Sequence, residues 1–107
     1  MDPSLFERMR TARGALRTVS VPDSEVALLV PASANRGSLT FFGAAFKYTL
    51  GLTSTVADNV GIIVPALSTT PVVLTLQMHG DLVQQCFYVF ADDAGQVPGA
   101  ETIFQGG

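Results

Sequence analysis

The segment Phe46-Lys47-Tyr48-Thr49-Leu50-Gly51-Leu52 places a large apolar side chain at every second position. Lys47, Thr49 and Gly51 fall between Phe46, Tyr48, Leu50 and Leu52. Successive side chains of a strand point to opposite faces, so this period of two lays one face on a core and turns the other to water. A helix would have required a period near 3.6. The segment is therefore read as an amphipathic β-strand, and the rest of the chain is judged against it.

The same rhythm continues on both sides. Upstream, Val19 and Val21 alternate with Thr18 and Ser20 before Pro22-Asp23. Glu25 to Val30 follows, closed by Pro31, and the turn residues 33–37 lead into Ser38-Leu39-Thr40-Phe41-Phe42. Downstream, Asp58-Asn59 and Gly61 mark a turn, and Ile62 to Val64 is a short strand stopped by Pro65. Val72, Leu74, Leu76 and Met78 alternate with Val73, Thr75 and Gln77 up to His79-Gly80-Asp81. Gln85 to Ala91 is apolar on both faces, which suits a central strand or one covered by a neighbouring subunit. Asp92-Asp93-Ala94-Gly95 is a turn, and Glu101 to Gln105 is expected to be the last strand. Seven or eight short strands punctuated by Gly, Pro, Asn and Asp predict an all-β domain, an antiparallel β-sandwich or small barrel.

The first seventeen residues follow a different pattern. Ser4 and Glu7 have capping-box spacing. Leu5, Met9, Ala12 and Leu16 recur at helical intervals, although Gly14 weakens the helix. Residues 1–17 are accordingly read as a short amphipathic helix or arm, and residues 18–107 as the β domain. The arm is basic, with Arg8, Arg10, Arg13 and Arg17 against Asp2 and Glu7. The β portion is acidic, with Arg36 and Lys47 facing seven carboxylates.

Charge is scarce. Asp, Glu, Lys and Arg make up 14% of the 107 residues, against about 25% in an ordinary soluble domain. A lone domain keeps ionised groups on its exterior to prevent non-specific association. A chain with so few is expected to self-associate or to dock into a larger assembly. Edge strands sharpen this, because few charges are present to block pairing with another chain.

Catalytic constellations are not visible in the residue order. His79 is the sole imidazole and sits in a turn, where Asp81 is its nearest acid. Cys86 lies in an apolar strand, where a thiol behaves as a small hydrophobe. Asp92 and Asp93 are adjacent and read as turn residues. No Gly-rich phosphate loop, Gly-x-Ser-x-Gly elbow or Cys/His metal cluster occurs. The expectation is a non-enzyme with no cofactor and no metal. A net charge of −3 and no apolar run near 18 residues argue against nucleic-acid and membrane partners.

Several segments in order carry a resemblance. Val26-Ala27-Leu28-Leu29-Val30-Pro31-Ala32 runs into Asn35-Arg36-Gly37-Ser38-Leu39-Thr40-Phe41-Phe42. Tyr48-Thr49-Leu50-Gly51-Leu52, Thr55-Val56-Ala57-Asp58-Asn59 with Gly61-Ile62, and His79-Gly80-Asp81-Leu82-Val83 with Phe87-Tyr88 follow. This order resembles small structural proteins of tailed-bacteriophage virions, over residues 19 to about 104. Where that pattern has a polar turn after Phe42, this chain has Gly43-Ala44-Ala45. The resemblance implies a β-sandwich that decorates or cements a capsid and trimerises, with the major capsid protein as partner and no catalytic residues. It implies a place on the capsid exterior after assembly in the host cytoplasm. On this reading Leu5, Phe6 and Met9, with Arg8, Arg10 and Arg13, would engage an acidic groove on the capsid protein. A head–tail connector, a tail or fibre component, and a carbohydrate-binding sandwich are the alternatives.

Overall fold

The structure is a computed structural model that describes residues 13–103. Eight strands form in chain order: β1 (Arg13–Val21), β2 (Glu25–Val30), β3 (Arg36–Phe41), β4 (Tyr48–Gly51), β5 (Ile62–Val64), β6 (Val72–Thr75), β7 (Phe87–Ala91) and β8 (Gly95–Ile103). They make two four-stranded antiparallel sheets, one ordered β1-β8-β3-β6 and the other β2-β7-β4-β5. Only the β4–β5 connection stays within a sheet, and every other link crosses to the opposite one. This order is that of an eight-stranded jelly roll. The antiparallel sandwich expected from the alternation is thus the observed architecture.

The core lies between the sheets and is filled by alternate residues of each strand. Val21, Leu39, Phe41, Leu74 and Val97 come from the first sheet, and Leu29, Val30, Tyr48, Leu50, Val64, Phe87 and Val89 from the second. Phe41 and Phe87 meet edge to face across the gap, with ring centroids 5.2 Å apart. Such aromatic pairs contribute about 0.5–1.5 kcal/mol beyond their burial.

Tyr48 is fully buried, and its hydroxyl donates to the carbonyl of Phe42. Burial pushes its ionisation well above the ordinary tyrosine range. The folded chain therefore favours the neutral phenol, whereas the unfolded chain ionises near pH 10. Stability from this group is complete below that pH and declines as alkali rises toward the folded-state value. Denaturant titrations at increasing alkaline pH should show that decline. Tyr48→Phe should flatten it while costing about 1–2 kcal/mol at neutral pH, because the Phe42 carbonyl loses its donor.

Several boundaries differ from the sequence reading, each for a physical reason. Residues 13–17 are not helical but form the first half of β1, paired from Arg13↔Ile103 to Arg17↔Gly99. A full ladder to β8 outweighs the weak propensity of a Gly-containing helix. Leu16, expected on an apolar helical stripe, is 70% exposed on the outer side of β1. The rest of the expected arm lies outside the described residues.

The strand expected to run to Met78 stops at Thr75. There the Thr75 hydroxyl accepts from the Met78 amide, and the Thr75 amide donates to His79 Nδ1. These bonds nucleate the one-turn helix α1 (Leu76–His79), followed by a 3-10 turn over Gly80–Gln84. His79, expected in a turn beside Asp81, is instead the last residue of α1, with the Thr75 amide as its partner.

Phe46 and Leu52 fall outside β4: Phe46 packs against the core, while Leu52 remains exposed. The last strand begins at Gly95, earlier than expected, because Pro98 lies just beyond the final β3 pair, Phe41↔Gly99. Its missing N–H costs no ladder bond on that side. Gly43-Ala44-Ala45 serve a crossing between sheets and not a hairpin.

Candidate assembly surface

Strand alternation and register together define which side chains look outward. On the first sheet these are Gly14, Leu16, Thr18 and Ser20 of β1, Gln96, Pro98, Ala100 and Thr102 of β8, Ser38 and Thr40 of β3, and Val73 and Thr75 of β6. Val73, Thr40, Ala100 and Leu16 form one lateral row across all four strands. On the second sheet the outward residues are Val26, Leu28, Tyr88, Phe90, Thr49, Gly51 and Ile63. None of these positions holds Asp, Glu, Lys or Arg.

The charges within strands occupy the other set of positions. Arg13, Arg17, Glu25 and Glu101 alternate onto the inner side of their strands, and the register shift between Arg36 and Ser38 turns Arg36 to that side as well. Three of them meet between the sheets at the end where β1 begins. Arg36 Nε donates to Glu101 Oε2 at 2.7 Å, and Arg17 Nε donates to Glu101 Oε1 at 3.1 Å. Arg36 Nη1 also donates to the carbonyls of Val83 and Gln85, at 3.0 and 2.9 Å, and its Nη2 to that of Pro31. Arg36 and Glu101 are 1% and 3% exposed. The planar guanidinium suits this work, since its fixed donors can serve a carboxylate and several carbonyls at once. The cluster clamps the end of β2 and the segment before β7 onto β8. It is a fully satisfied buried ion group, and its chemistry is structural.

The second sheet's outer face is partly covered by the chain itself. Residues 52–61 fold back as a flap over β4. The Asn59 amide donates to Thr49 Oγ1 at 3.1 Å, and Lys47 Nζ holds the flap through Asn59 Oδ1 at 2.9 Å and Asp58 Oδ1 at 3.0 Å. Val56 lies so close to the strand that an ideal Cβ on Gly51 would come within 2.8 Å of its Cβ. Thr49 is consequently buried, and the side of β4 expected to meet water is covered. Beside the flap, the cross-strand pairs Val26↔Phe90 and Leu28↔Tyr88 remain at least partly open. β7 is the central strand that its two apolar faces had suggested.

Of the residues read from sequence as partner-binding, Leu5, Phe6, Arg8, Met9 and Arg10 lie outside the described residues. Arg13 opens β1, on the sheet and not on an arm. Sequence reasoning passed over Arg36, Glu101 and Arg17 as a group, and the period of two gave no signal for Arg36, which shares the parity of the outward Ser38 and Thr40 and turns inward only through the register shift between Arg36 and Ser38. Among the described residues, no three His, Cys, Asp or Glu side chains are grouped to hold a metal ion. No described helix is long and apolar enough to cross a membrane.

Fold and surface together define an antiparallel jelly-roll domain whose outward strand positions are uncharged. No protein family, curated protein or solved structure matches the chain.

Proposed function

We propose that this chain is a structural subunit of a tailed-phage virion, a decoration or cement protein that binds and stabilises the major capsid protein lattice. The observation that carries the assembly reading is the complete lack of ionised side chains at the outward positions of both sheets. The neutral face of the first sheet, and the part of the second left open beside the flap, are surfaces suited to burial against other chains. Strand charges turned inward, and a core filled by aliphatic and aromatic groups, fit a scaffold better than a catalytic cleft. Jelly rolls build viral capsid, lectin and cupin domains, so the topology is compatible with the reading without selecting it. The choice of a phage capsid rests on the sequence resemblance.

On this reading the domain lies on the capsid exterior. Residues 1–12, with Leu5, Phe6, Arg8, Met9 and Arg10, extend the contact to an acidic groove of the capsid protein. The boundary at residue 12 matters, because deletion to residue 17 would remove half of β1 and the Arg17 contact to Glu101. Co-sedimentation with shells of the cognate major capsid protein tests the proposal. The full chain should bind saturably, and a chain lacking residues 1–12 should lose most of that binding while keeping its β-type circular dichroism. Full-chain protein that stays in the supernatant at every shell concentration would refute the capsid assignment.

A further inference from the structure

The four sheet edges are unequally protected. β5 has three residues, set between Gly61 and Pro65, and β6 has four, preceded by Pro71. β2 is interrupted by a register shift between Leu28 and Val30 and stopped by Pro31. Short length, proline and bulges are among the devices by which natural sheets prevent edge-to-edge pairing, and charged side chains are another. β1 has none of the first three, and its charges are Arg13 and Arg17, both on the inner side of the strand. It is nine residues long, contains no proline, and pairs with β8 in unbroken register along its whole length. Among the described residues it pairs on that one side only. Over residues 15–21 no other described strand pairs with its second edge, which carries a row of backbone N–H and C=O groups in strand geometry.

We propose that β1 is the site of a two-fold contact with a second copy of this chain, the two β1 strands pairing antiparallel to join their sheets. A two-fold contact is self-complementary, and an edge strand is its own best template. Charge selects the register. Centring the pair on Arg17 would set two guanidinium groups directly opposite, which is destabilising. Centring it on Thr18 places Arg17 opposite the partner's Val19 and Leu16 opposite the partner's Ser20, and retains pairing from Ala15 to Val21. Thr18 then faces its own copy, and Thr–Thr pairs are favourable across strands. The outward faces of the joined sheets continue each other without a charge. This contact is independent of the capsid assignment, and it predicts a dimer where the phage resemblance implies a trimer.

Sedimentation equilibrium of the full chain should show a monomer–dimer equilibrium. Thr18→Lys, at an exposed position, sets two ammonium groups against each other and should weaken the dimer about fivefold with unchanged circular dichroism. Thr18→Cys in a Cys86→Ser background should cross-link to itself under mild oxidation, which keeps the test decisive should the lysine variant fold poorly. A chain that is monomeric at all concentrations or trimeric would overturn the proposal. A dimer indifferent to Thr18→Lys, or one in which Thr18→Cys fails to cross-link, would do the same. Shell binding by a strictly monomeric chain would overturn this contact and leave the capsid reading standing.

Discussion

Glu101→Ala should lower the unfolding free energy by about 3–5 kcal/mol in urea denaturation, the range for removing one partner of a buried ion pair. The cause is what remains. Arg36 is wholly enclosed, and its Nε would lose the one carboxylate that, among the described residues, neutralises it inside the sandwich. Its other donors hold carbonyls of Pro31, Val83 and Gln85, so the side chain cannot leave without unmaking that end of the fold. Arg17→Ala removes the second contact to the same carboxylate and should cost less than about 1 kcal/mol, since the Arg17 side chain is 45% exposed and water can replace the bond. The double change Arg36→Met with Glu101→Leu should recover part of the loss by removing both charges. Full recovery is not expected, because three carbonyls lose their donor. If Glu101→Ala proved as mild as Arg17→Ala, the clamp would not be holding the sandwich end together.

Gly61→Ala is the other change with a large expected effect, about 3 kcal/mol of destabilisation. Gly61 has φ of +141°, a conformation that a residue with a Cβ rarely adopts. An ideal Cβ there would lie 2.2 Å from the Leu50 carbonyl oxygen, a backbone atom that cannot swing aside. Leu50 pairs with Ile62 at the start of β5, so relief of the clash must open the β4–β5 ladder and expose Ile62 and Val64 to water. The midpoint of thermal unfolding should fall by roughly 10–20 °C for a domain of this size. Gly14→Ala is the matched control, because a Cβ at that position meets nothing within 4 Å. Its midpoint should hardly move. Equal behaviour of the two variants would contradict the turn geometry.

These two sites also show what the chain order can and cannot reveal. Alternation of apolar residues locates strands such as β4, because burial on one face leaves a local signature, and the flanking turn residues and prolines placed β2 and β5 at their observed bounds. It says nothing of which strands are neighbours. The jelly-roll order, with β8 between β1 and β3, depends on long-range pairing that no short window contains. Arg36 and Glu101 are 65 residues apart, so their ion pair is invisible until β3 and β8 are known to be adjacent. The flap over Thr49 escaped notice for a similar reason. A threonine opposite apolar neighbours is read as the wet side of a strand, and only folded geometry brings Asn59 and Val56 back over it. Thr75 misled through local chemistry, its hydroxyl capping a helical turn inside an alternating apolar pattern. The charge scarcity was legible from composition. Its distribution, inward along the strands and lacking at the outward strand positions of both sheets, required the register.

The outer faces are the central claim, and hydroxyl-radical footprinting tests them most directly. Side-chain oxidation at Leu16 and Val73 on one sheet, and at Leu28, Tyr88 and Phe90 on the other, should be compared between the isolated chain and the chain bound to capsid shells. The account predicts strong protection of at least one of these two sets on assembly, with little change at Asp81 and its neighbours in the turn after α1. Undiminished oxidation of both sets in the bound state would contradict it.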